Sequence, residues 1–461
     1  MSQTSPRSGA PDAGRSAAPV PERSVPERSV PETEPYGGPG ADGPALGRAA
    51  TTPGEGREAA PRLLRPALAL DHLFGSLGLF SVFPVLGLLL AARSPASGTA
   101  VVGVGLFCYT TSAGLAAMAM SRLLPRLTYT TGMVGGVLLS AVAFGLLPYA
   151  HSPWTLCALL VLAGCGVSVH FTLSRVLIAE VVSDDIGRNR IFSLFQIAVN
   201  TAAALGPFVA NLLYSSSDPR ALMTVVAGCY VVAGVVMLPG IPRDRRPPAT
   251  TGRWPVSSRT LVRVVRSPEM LRLVVVSTVG TFIYAQFYSA FALHVGGEFD
   301  SAALRSALVA GPAVSIVLLQ AVVTGVTSRL MNSGTTPFTI LGYGTLLFGA
   351  SMVILGLGLP PVLGAALGVL VFSLAEMMFA PMVSTAFAGL PIGSHLEAFN
   401  LRQVCWSSGE ALGSLAGGAL FLALYREGDG WLYWELLGAV TLACTGLLLS
   451  SARRAAVRAA A

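Results

Sequence analysis

From residue 67 to residue 451, the chain is a succession of apolar blocks separated by short polar connectors. Each block has roughly 20 or more residues, about the length of helix that crosses a hydrocarbon core of about 30 Å. Hydrophobic residues make up 53% of the sequence and charged residues only 11%, which excludes a water-soluble globule. Because backbone polar groups in lipid must be hydrogen bonded within their own segment, we predict that the blocks are helices.

The blocks predict an all-α membrane protein with twelve transmembrane helices in two six-helix bundles. The bundles cover residues 66–241 and 271–452, and a basic linker at 242–270 joins them. The tails at 1–65 and 453–461 are predicted to be cytoplasmic, and the first to be disordered because it has little apolar surface to bury. The candidate spans are 67–90, 99–120, 130–150, 154–182, 191–214, 221–241, 271–295, 303–326, 338–359, 362–390, 398–425 and 431–451.

The basic residues indicate the orientation. The chain has no lysine, and about 25 of its 30 basic residues lie in the tails and the even-numbered loops. By the positive-inside rule, both termini are predicted to be cytoplasmic in a multi-pass protein of the cell membrane. The net charge of +7 therefore reflects orientation and lipid head groups, not nucleic-acid binding. Within the linker, arginines recur at helical spacing over 258–266, which predicts an amphipathic helix at the membrane surface.

Several classes of chemistry have no signature in the sequence. Without lysine there is no phosphate-binding GxxxxGK[ST] loop, and HExxH and GxSxG motifs in a suitable context are also absent. The six cysteines all lie in predicted spans without a CxxC pair, so we interpret them as packing residues. We therefore expect neither an enzyme nor a resident metal or cofactor.

Ionisable groups inside the spans are the candidates for function, since a charge near the bilayer centre costs at least about 2.5–3.5 kcal/mol. Glu376 and Glu410 lie near mid-depth in the tenth and eleventh spans, and Asp71 lies just inside the first. We predict that they carry protons, Glu376 foremost; the alternative is a structural hydrogen bond for the two glutamates and access to interfacial water for Asp71. Charge pairing or gating is predicted for a set of further residues: Arg122, Arg126, Arg175, Glu180, Arg188 and Arg402.

Other polar residues in the spans are candidates for a substrate cavity. These are His72, His170, Tyr284, Gln286 and Tyr288, with packing or interfacial hydration as the alternative. Arg175 is expected to pair with Glu180 or with a carboxyl across the bundle. Close helix contacts are predicted at the small residues Gly409, Gly413 and Gly417. They are also predicted at the helix-bending pair Gly206 and Pro207.

Four stretches within or beside the spans carry distinctive patterns: Arg188 to Gly206-Pro207, Gly164 to Arg175, 375–381 and 70–84. With the twelve spans and the basic linker, they resemble the major facilitator superfamily, in particular its drug:proton antiporter branch. In order, the stretches are similar to motifs of that branch's fifth, fourth, tenth and first spans. The loop between spans two and three departs from the family, because Ser121 replaces an acidic residue and only Arg122 and Arg126 persist.

The resemblance implies two rocking bundles with spans one, four, seven and ten around a central cavity. It also implies a monomeric transporter that exports small lipophilic molecules in exchange for protons. An importer or facilitator on the same fold, and a non-transporting scaffold or sensor, are the alternatives.

Overall fold

Helices account for nearly all of the chain that the structure describes. This computed structural model describes residues 63–93, 98–214, 218–250, 252 and 254–460, so the expected tail at 1–65 lies almost wholly outside the described residues. The described residues contain no β-strand. The helices are α1 (Leu64–Val82), α2 (Leu86–Arg93), α3 (Gly98–Ala119), α4 (Tyr129–Leu146), α5 (Pro153–Val181), α6 (Asp185–Leu213), α7 (Arg220–Met237), α8 (Ser258–Arg266), α9 (Pro268–Gln286), α10 (Ala292–Glu298), α11 (Ala302–Asn332), α12 (Pro337–Gly356), α13 (Pro361–Ala388), α14 (His395–Ala416), α15 (Leu422–Glu427) and α16 (Gly430–Ala460).

Local chemistry explains where several helices begin. Thr128, Ser267 and Thr336 each precede a helix and accept a hydrogen bond from a backbone N–H in its first turn. Such caps satisfy donors that have no partner inside the helix. Prolines occupy the first turn of α5, α9, α12 and α13, where the missing N–H costs nothing.

The number of spans differs from the twelve predicted. Ten described helices are long and apolar enough to cross a membrane, or eleven when α1 and α2 are joined as one span bent by 48°. The bend falls at 83–85, where Pro84 has no N–H to continue the helix. The expected eleventh span is a continuous helical segment from α14 to α15, but it is too polar to be recognised by length and composition. Twelve spans therefore fit the structure.

Two short π-helical segments interrupt long helices at matching places. Phe287–Phe291 lies between α9 and α10, and Gly417–Phe421 lies between α14 and α15. The two segments pack on each other. The last helix also differs from the prediction, since α16 continues through most of the expected tail at 453–461.

The two halves of the chain share one pattern of helix contacts. In the first half, α1 packs on α6 and α7, α3 packs on α5, and α4 packs on α5 and α7. In the second, α9 packs on α14 and α16, α11 packs on α13, and α12 packs on α13 and α16. When the spans of each half are numbered in order, each helix pair in the first half has its equivalent in the second. The N-terminal half (64–241) and the C-terminal half (268–460) are thus two copies of one bundle plan.

Each half has its own hydrophobic core, and the halves meet through a few helices. One core is built almost entirely from residues of α1 to α7, and the other from residues between Val264 and Trp434. Three residues of the C-terminal half, Ala388, Leu396 and Phe399, belong to the N-terminal core. Between the halves, α6 packs on α11 and α13, while α14 packs on α3 and α5.

Candidate functional site

Glu376 bridges the two halves through a hydrogen bond. It lies in the middle of α13 and is only 3% exposed. Its Oε1 accepts a hydrogen bond of 2.8 Å from Nε2 of Gln196 on α6. Among the described residues Glu376 has no ion pair, so a neutral amide is the group that faces this buried carboxyl. The sequence-predicted proton site is therefore also a contact between the bundles.

Aromatic and acidic side chains surround Glu376 on the C-terminal half; we call Tyr284, Tyr288, Glu376, Trp406 and Glu410 the acidic–aromatic wall. The hydroxyl groups of Tyr284 and Tyr288 are 3.2 Å apart, and the Tyr284 and Trp406 rings are 5.5 Å apart between centroids. Both carboxyls act electrostatically on both tyrosines. Tyr288 is 60% exposed and Glu410 is also exposed, so these two residues form the surface of the wall, whereas Glu376 is buried behind it.

Gln286, also expected at the cavity, lies elsewhere. Its Nε2 donates to the carbonyl oxygen of Gly413 at 3.0 Å, and its Oε1 accepts from the hydroxyl of Tyr433 at 2.6 Å. Gln286 is 0% exposed. Two residues turn a helix by about 200°, so Gln286 points away from Tyr284 and Tyr288. It joins α9 to α14 and α16 and is a structural residue.

Two arginines, one from each half, interact electrostatically, and neither has a carboxylate partner among the described residues. The guanidinium of Arg402 lies 4.9 Å from the ring of Trp406, and that of Arg175 lies 5.6 Å from the ring of Phe171. Arg175 acts electrostatically on Arg402, and Arg402 is 6% exposed. No ion pair involves either arginine within the described part of the chain.

The expected pair of Arg175 with Glu180 is not formed. Five residues separate them on α5, which places them about 140° apart around the helix. Glu180 instead accepts a hydrogen bond of 3.0 Å from the Tyr129 hydroxyl. Arg175 donates to the carbonyl oxygen of Phe171 at 3.2 Å.

The other arginines predicted to gate or pair lie toward the linker side. Arg188 donates to the carbonyl oxygens of Val182 and Ala179 at 2.7 and 3.0 Å, which satisfies acceptors at the end of α5. It also pairs with Asp185 at 3.3 Å. Arg122 and Arg126 are exposed in the connector between α3 and α4.

Asp71, His72 and His170 meet in a cluster inside the N-terminal half that shares no residue with the acidic–aromatic wall. Oδ2 of Asp71 lies 3.3 Å from Nδ1 of His72 and 3.2 Å from Nε2 of His170. The three residues are 0%, 2% and 2% exposed, so the two histidines expected at a substrate cavity are core residues here. The His72 ring stacks on Phe195 with 3.6 Å between centroids.

The predicted close-packing glycines lie where helices touch. A Cβ atom at Gly409, Gly413 or Gly417 would collide with atoms of Thr281, Phe282 or Ser289, in that order. A Cβ at Gly206 would approach the backbone of Phe80 to 2.5 Å, and the adjacent Pro207 lies inside α6. The stripe on α14 and the following π-helical segment therefore lies against α9 and its own π-helical segment.

Two contacts between the halves lie toward the side that holds the linker. The rings of Phe192 and Phe399 are 6.4 Å apart, and Nδ2 of Asn189 donates to Oγ1 of Thr327 at 3.0 Å. Asn189 and Phe192 begin α6, Phe399 begins α14 and Thr327 ends α11; in alternating helices these ends share one face. The halves are closed on each other at the linker side.

A cavity of about 260 Å³ lies elsewhere on the C-terminal half. His294, Glu298, Tyr425, Trp431 and Trp434 are among its lining residues, at the ends of α10, α15 and the start of α16. It shares no residue with the acidic–aromatic wall. This cavity therefore lies apart from the groups that bridge the halves.

Gln196 and Trp406 were not singled out from the sequence. The sequence could have pointed to Trp406, because Arg402, Trp406 and Glu410 are spaced four residues apart and so share one face of α14. No local sequence pattern points to Gln196, since its partner Glu376 lies 180 positions away.

Comparison with known proteins places the chain in a family. Multidrug resistance protein MdtH of Aeromonas salmonicida (strain A449) is 25% identical over 410 residues, which is 85% of this chain and 96% of the relative. MdtH of Aeromonas hydrophila subsp. hydrophila matches with the same identity and coverage.

Solved structures share the fold. The crystal structure of the human organic anion transporter MFSD10 (TETRAN) has a TM-score of 0.63 and 19% identity, covering 85% of this chain and 100% of that one. An autoinhibited peptide transporter of the POT family has a TM-score of 0.58 and 14% identity, covering 86% and 97%. The family model described as Major Facilitator Superfamily matches residues 68–414. The chain therefore belongs to the Major Facilitator Superfamily and is a multi-pass membrane transporter of small molecules, not an enzyme.

Proposed function

We propose that this protein exports small lipophilic molecules in exchange for protons, by alternating access around the acidic–aromatic wall. The observation that carries the proposal is the buried carboxyl of Glu376, which accepts a hydrogen bond from Gln196 of the opposite half. A proton on this group changes both the local charge and a contact that joins the two bundles.

Desolvation supplies the physical link between protonation and movement. A carboxylate in the membrane interior costs several kcal/mol unless it is compensated. One neutral amide compensates it only in part, so the charged form of Glu376 depends on the closed contact with Gln196. Proton binding relieves this dependence, and the halves are then free to separate at α6 and α13. Glu410, on the same wall, is a second group that can exchange protons.

The wall also has the chemistry of a site for lipophilic cargo. Tyr284, Tyr288 and Trp406 offer large ring faces, and ligand sites are commonly apolar and aromatic with a few polar groups. The tyrosine hydroxyls and the two carboxyls supply those polar groups. Cargo that binds here lies next to the proton site, so each can displace the other.

The names of the two similar proteins support this proposal. The MdtH proteins that match over 96% of their length are named multidrug resistance proteins. We infer the same broad type of cargo for this chain, and we place it in the cell membrane with both termini cytoplasmic. On that orientation the side at which the halves are closed faces the cytoplasm.

The arginine pair favours a second candidate cargo. Arg175 and Arg402 lie near each other without a carboxylate partner among the described residues, and such a pair attracts an anionic group. A lipophilic anion would place its charge at the arginines and its rings against Trp406. Import or facilitated movement of such a solute on the same fold is the alternative to export.

Reconstituted vesicles with an imposed pH gradient test the proposal. Wild-type protein should move fluorescent lipophilic dyes in the direction opposite to proton flow. Glu376→Gln should slow this proton-driven flux at least about tenfold, while cargo exchange without a gradient continues. Glu298→Gln is the matched control, because Glu298 is exposed at the end of α10.

The outcomes separate the alternatives. Unchanged flux in Glu376→Gln would remove this residue from coupling, and co-directional movement of dye and protons would establish import. A panel of cationic, neutral and anionic dyes distinguishes the two cargo classes. If no dye moves and no proton flux follows, the protein is a scaffold or sensor.

A further inference from the structure

The Asp71–His72–His170 cluster brings together three ligand-type side chains from two helices. Asp71 and His72 lie on α1 and His170 lies on α5. One donor atom from each residue lies within 4.8 Å of the other two. The side chains are 0%, 2% and 2% exposed, which removes them from bulk water. The cluster uses none of the residues of the acidic–aromatic wall.

The cluster leaves buried polar atoms without hydrogen bonds. Both carboxylate oxygens of Asp71 and both ring nitrogens of His170 lack a hydrogen bond of acceptable geometry within the described part of the chain. The distances of 3.2 and 3.3 Å to Asp71 are close contacts whose angles are poor for hydrogen bonding. A buried carboxylate is costly unless a positive charge lies beside it, which either a protonated histidine or a bound cation can supply.

The spacing of the donor atoms matches that of ligands around a metal ion. Bonds of about 2.0–2.1 Å at tetrahedral angles separate neighbouring ligand atoms by about 3.3 Å. The two contacts to Oδ2 of Asp71 measure 3.3 and 3.2 Å. Two imidazoles and one carboxylate form a ligand set typical of divalent transition metals, with positions left open for water.

We propose that Asp71, His72 and His170 bind a divalent transition-metal ion of the Zn²⁺ type. The ion supplies a fixed positive charge beside the buried carboxylate and takes Nε2 of His170, which has no hydrogen bond among the described residues, as a ligand. His72 contributes a ring already oriented by Phe195 and by the hydroxyl of Ser174, whose Oγ lies 3.5 Å from Nε2. Its Nδ1 lies 3.0 Å from the carbonyl oxygen of Leu68, to which it can only donate, so a metal ion at Nδ1 replaces the proton of that hydrogen bond.

Metal binding here ties α1 to α5 inside the N-terminal half. Phe195, which stacks on His72, directly precedes Gln196, the partner of Glu376. The ion therefore stiffens the part of the bundle that presents Gln196 to the other half. This proposal is independent of proton coupling and of the identity of the cargo.

Zn²⁺ binding to the purified full-length protein, after chelator treatment, tests the proposal. Wild type should bind one equivalent and melt at a higher temperature with Zn²⁺, because an ion that binds only the folded state stabilises it. His170→Asn and Asp71→Asn should each weaken binding at least about tenfold. His294→Asn is the matched control, since His294 is a partly buried histidine in the C-terminal half. No binding by wild type, or equal binding by all four proteins, overturns the proposal.

A measurement on the wild-type protein covers the case in which the variants do not fold. X-ray absorption of the Zn²⁺ complex should show nitrogen and oxygen neighbours at about 2.0–2.1 Å with the outer-shell pattern of two imidazoles. Sulfur neighbours at about 2.3 Å would assign the ion to the free cysteines and contradict the proposal.

Discussion

The amide of Gln196 in the N-terminal half donates a hydrogen bond of 2.8 Å to the carboxyl of Glu376 in the C-terminal half. The bond joins α6 to α13, with Glu376 buried and Gln196 half-buried. A contact between the bundles is thus built on a group that can take up a proton. Transport that depends on protons should therefore be sensitive to the amide as well as to the carboxyl.

Gln196→Leu should reduce proton-driven dye flux about 5- to 150-fold. Removing one partner leaves a buried polar group unsatisfied, which costs about 1–3 kcal/mol. Initial rates in vesicles with an imposed pH gradient measure the effect. Gln403→Leu is the matched control, because Gln403 donates its hydrogen bond to Ser407 on its own helix and not to the other half. Equal losses in both variants would show a general effect of polar-to-apolar change.

Tyr284→Ala should raise the KM for aromatic dyes about tenfold, while Tyr284→Phe should leave it within about twofold. The ring of Tyr284 lies 5.5 Å from Trp406 and 6.1 Å from Phe372 between centroids, and aromatic pairs contribute about 0.5–1.5 kcal/mol. Tyr343→Ala, an exposed tyrosine of α12, serves as the control. If the ring acts only in folding, all dyes will lose rate together and KM will not move.

Gly413→Ala should destabilise the purified protein by about 1–3 kcal/mol, as overpacking does in a tight contact. A Cβ at Gly413 would collide with the backbone of Phe282 on α9. Gly418→Ala offers a control five residues along, since a Cβ at Gly418 meets no atom within 4 Å. Thermal unfolding in detergent compares the two. A Gly418→Ala variant that is equally destabilised would indicate a backbone effect instead of helix packing.

Cysteines placed at Asn189 and Thr327 should lock the linker side closed. In the native chain the side chains of these residues are 3.0 Å apart across the two halves. In a background without the six native cysteines, oxidation of Asn189→Cys with Thr327→Cys should stop dye flux, and reduction should restore it. Each single variant is the control. Full flux through a completely cross-linked protein would show that this contact does not open during transport.

The sequence predicted the helices of this protein better than it predicted the partners of their side chains. Apolar blocks long enough to cross a membrane predict helices without knowledge of any neighbour, because lipid forces each segment to satisfy its own backbone. The stripe of Gly409, Gly413 and Gly417 likewise marked a helix surface that here lies against α9. Such patterns are local, so one chain segment contains all the information they need.

Side-chain partners were decided by rotation around helices and by packing across the fold. Gln286 shares a span with Tyr284 and Tyr288 but faces the opposite way, and Arg175 lies about 140° around α5 from Glu180. A prediction from spacing in the sequence treats such residues as neighbours. The helix places them on different surfaces.

By itself, the sequence determined that this is a multi-span helical membrane protein, predicted two bundles and singled out Glu376 as a carboxyl within a span. Only the tertiary structure decided that Gln196 faces Glu376 and that Asp71 and His72 meet His170 about a hundred positions later. The reason is physical: hydrophobicity sets which segments enter the membrane, whereas the close packing of several helices sets which polar groups they bring together.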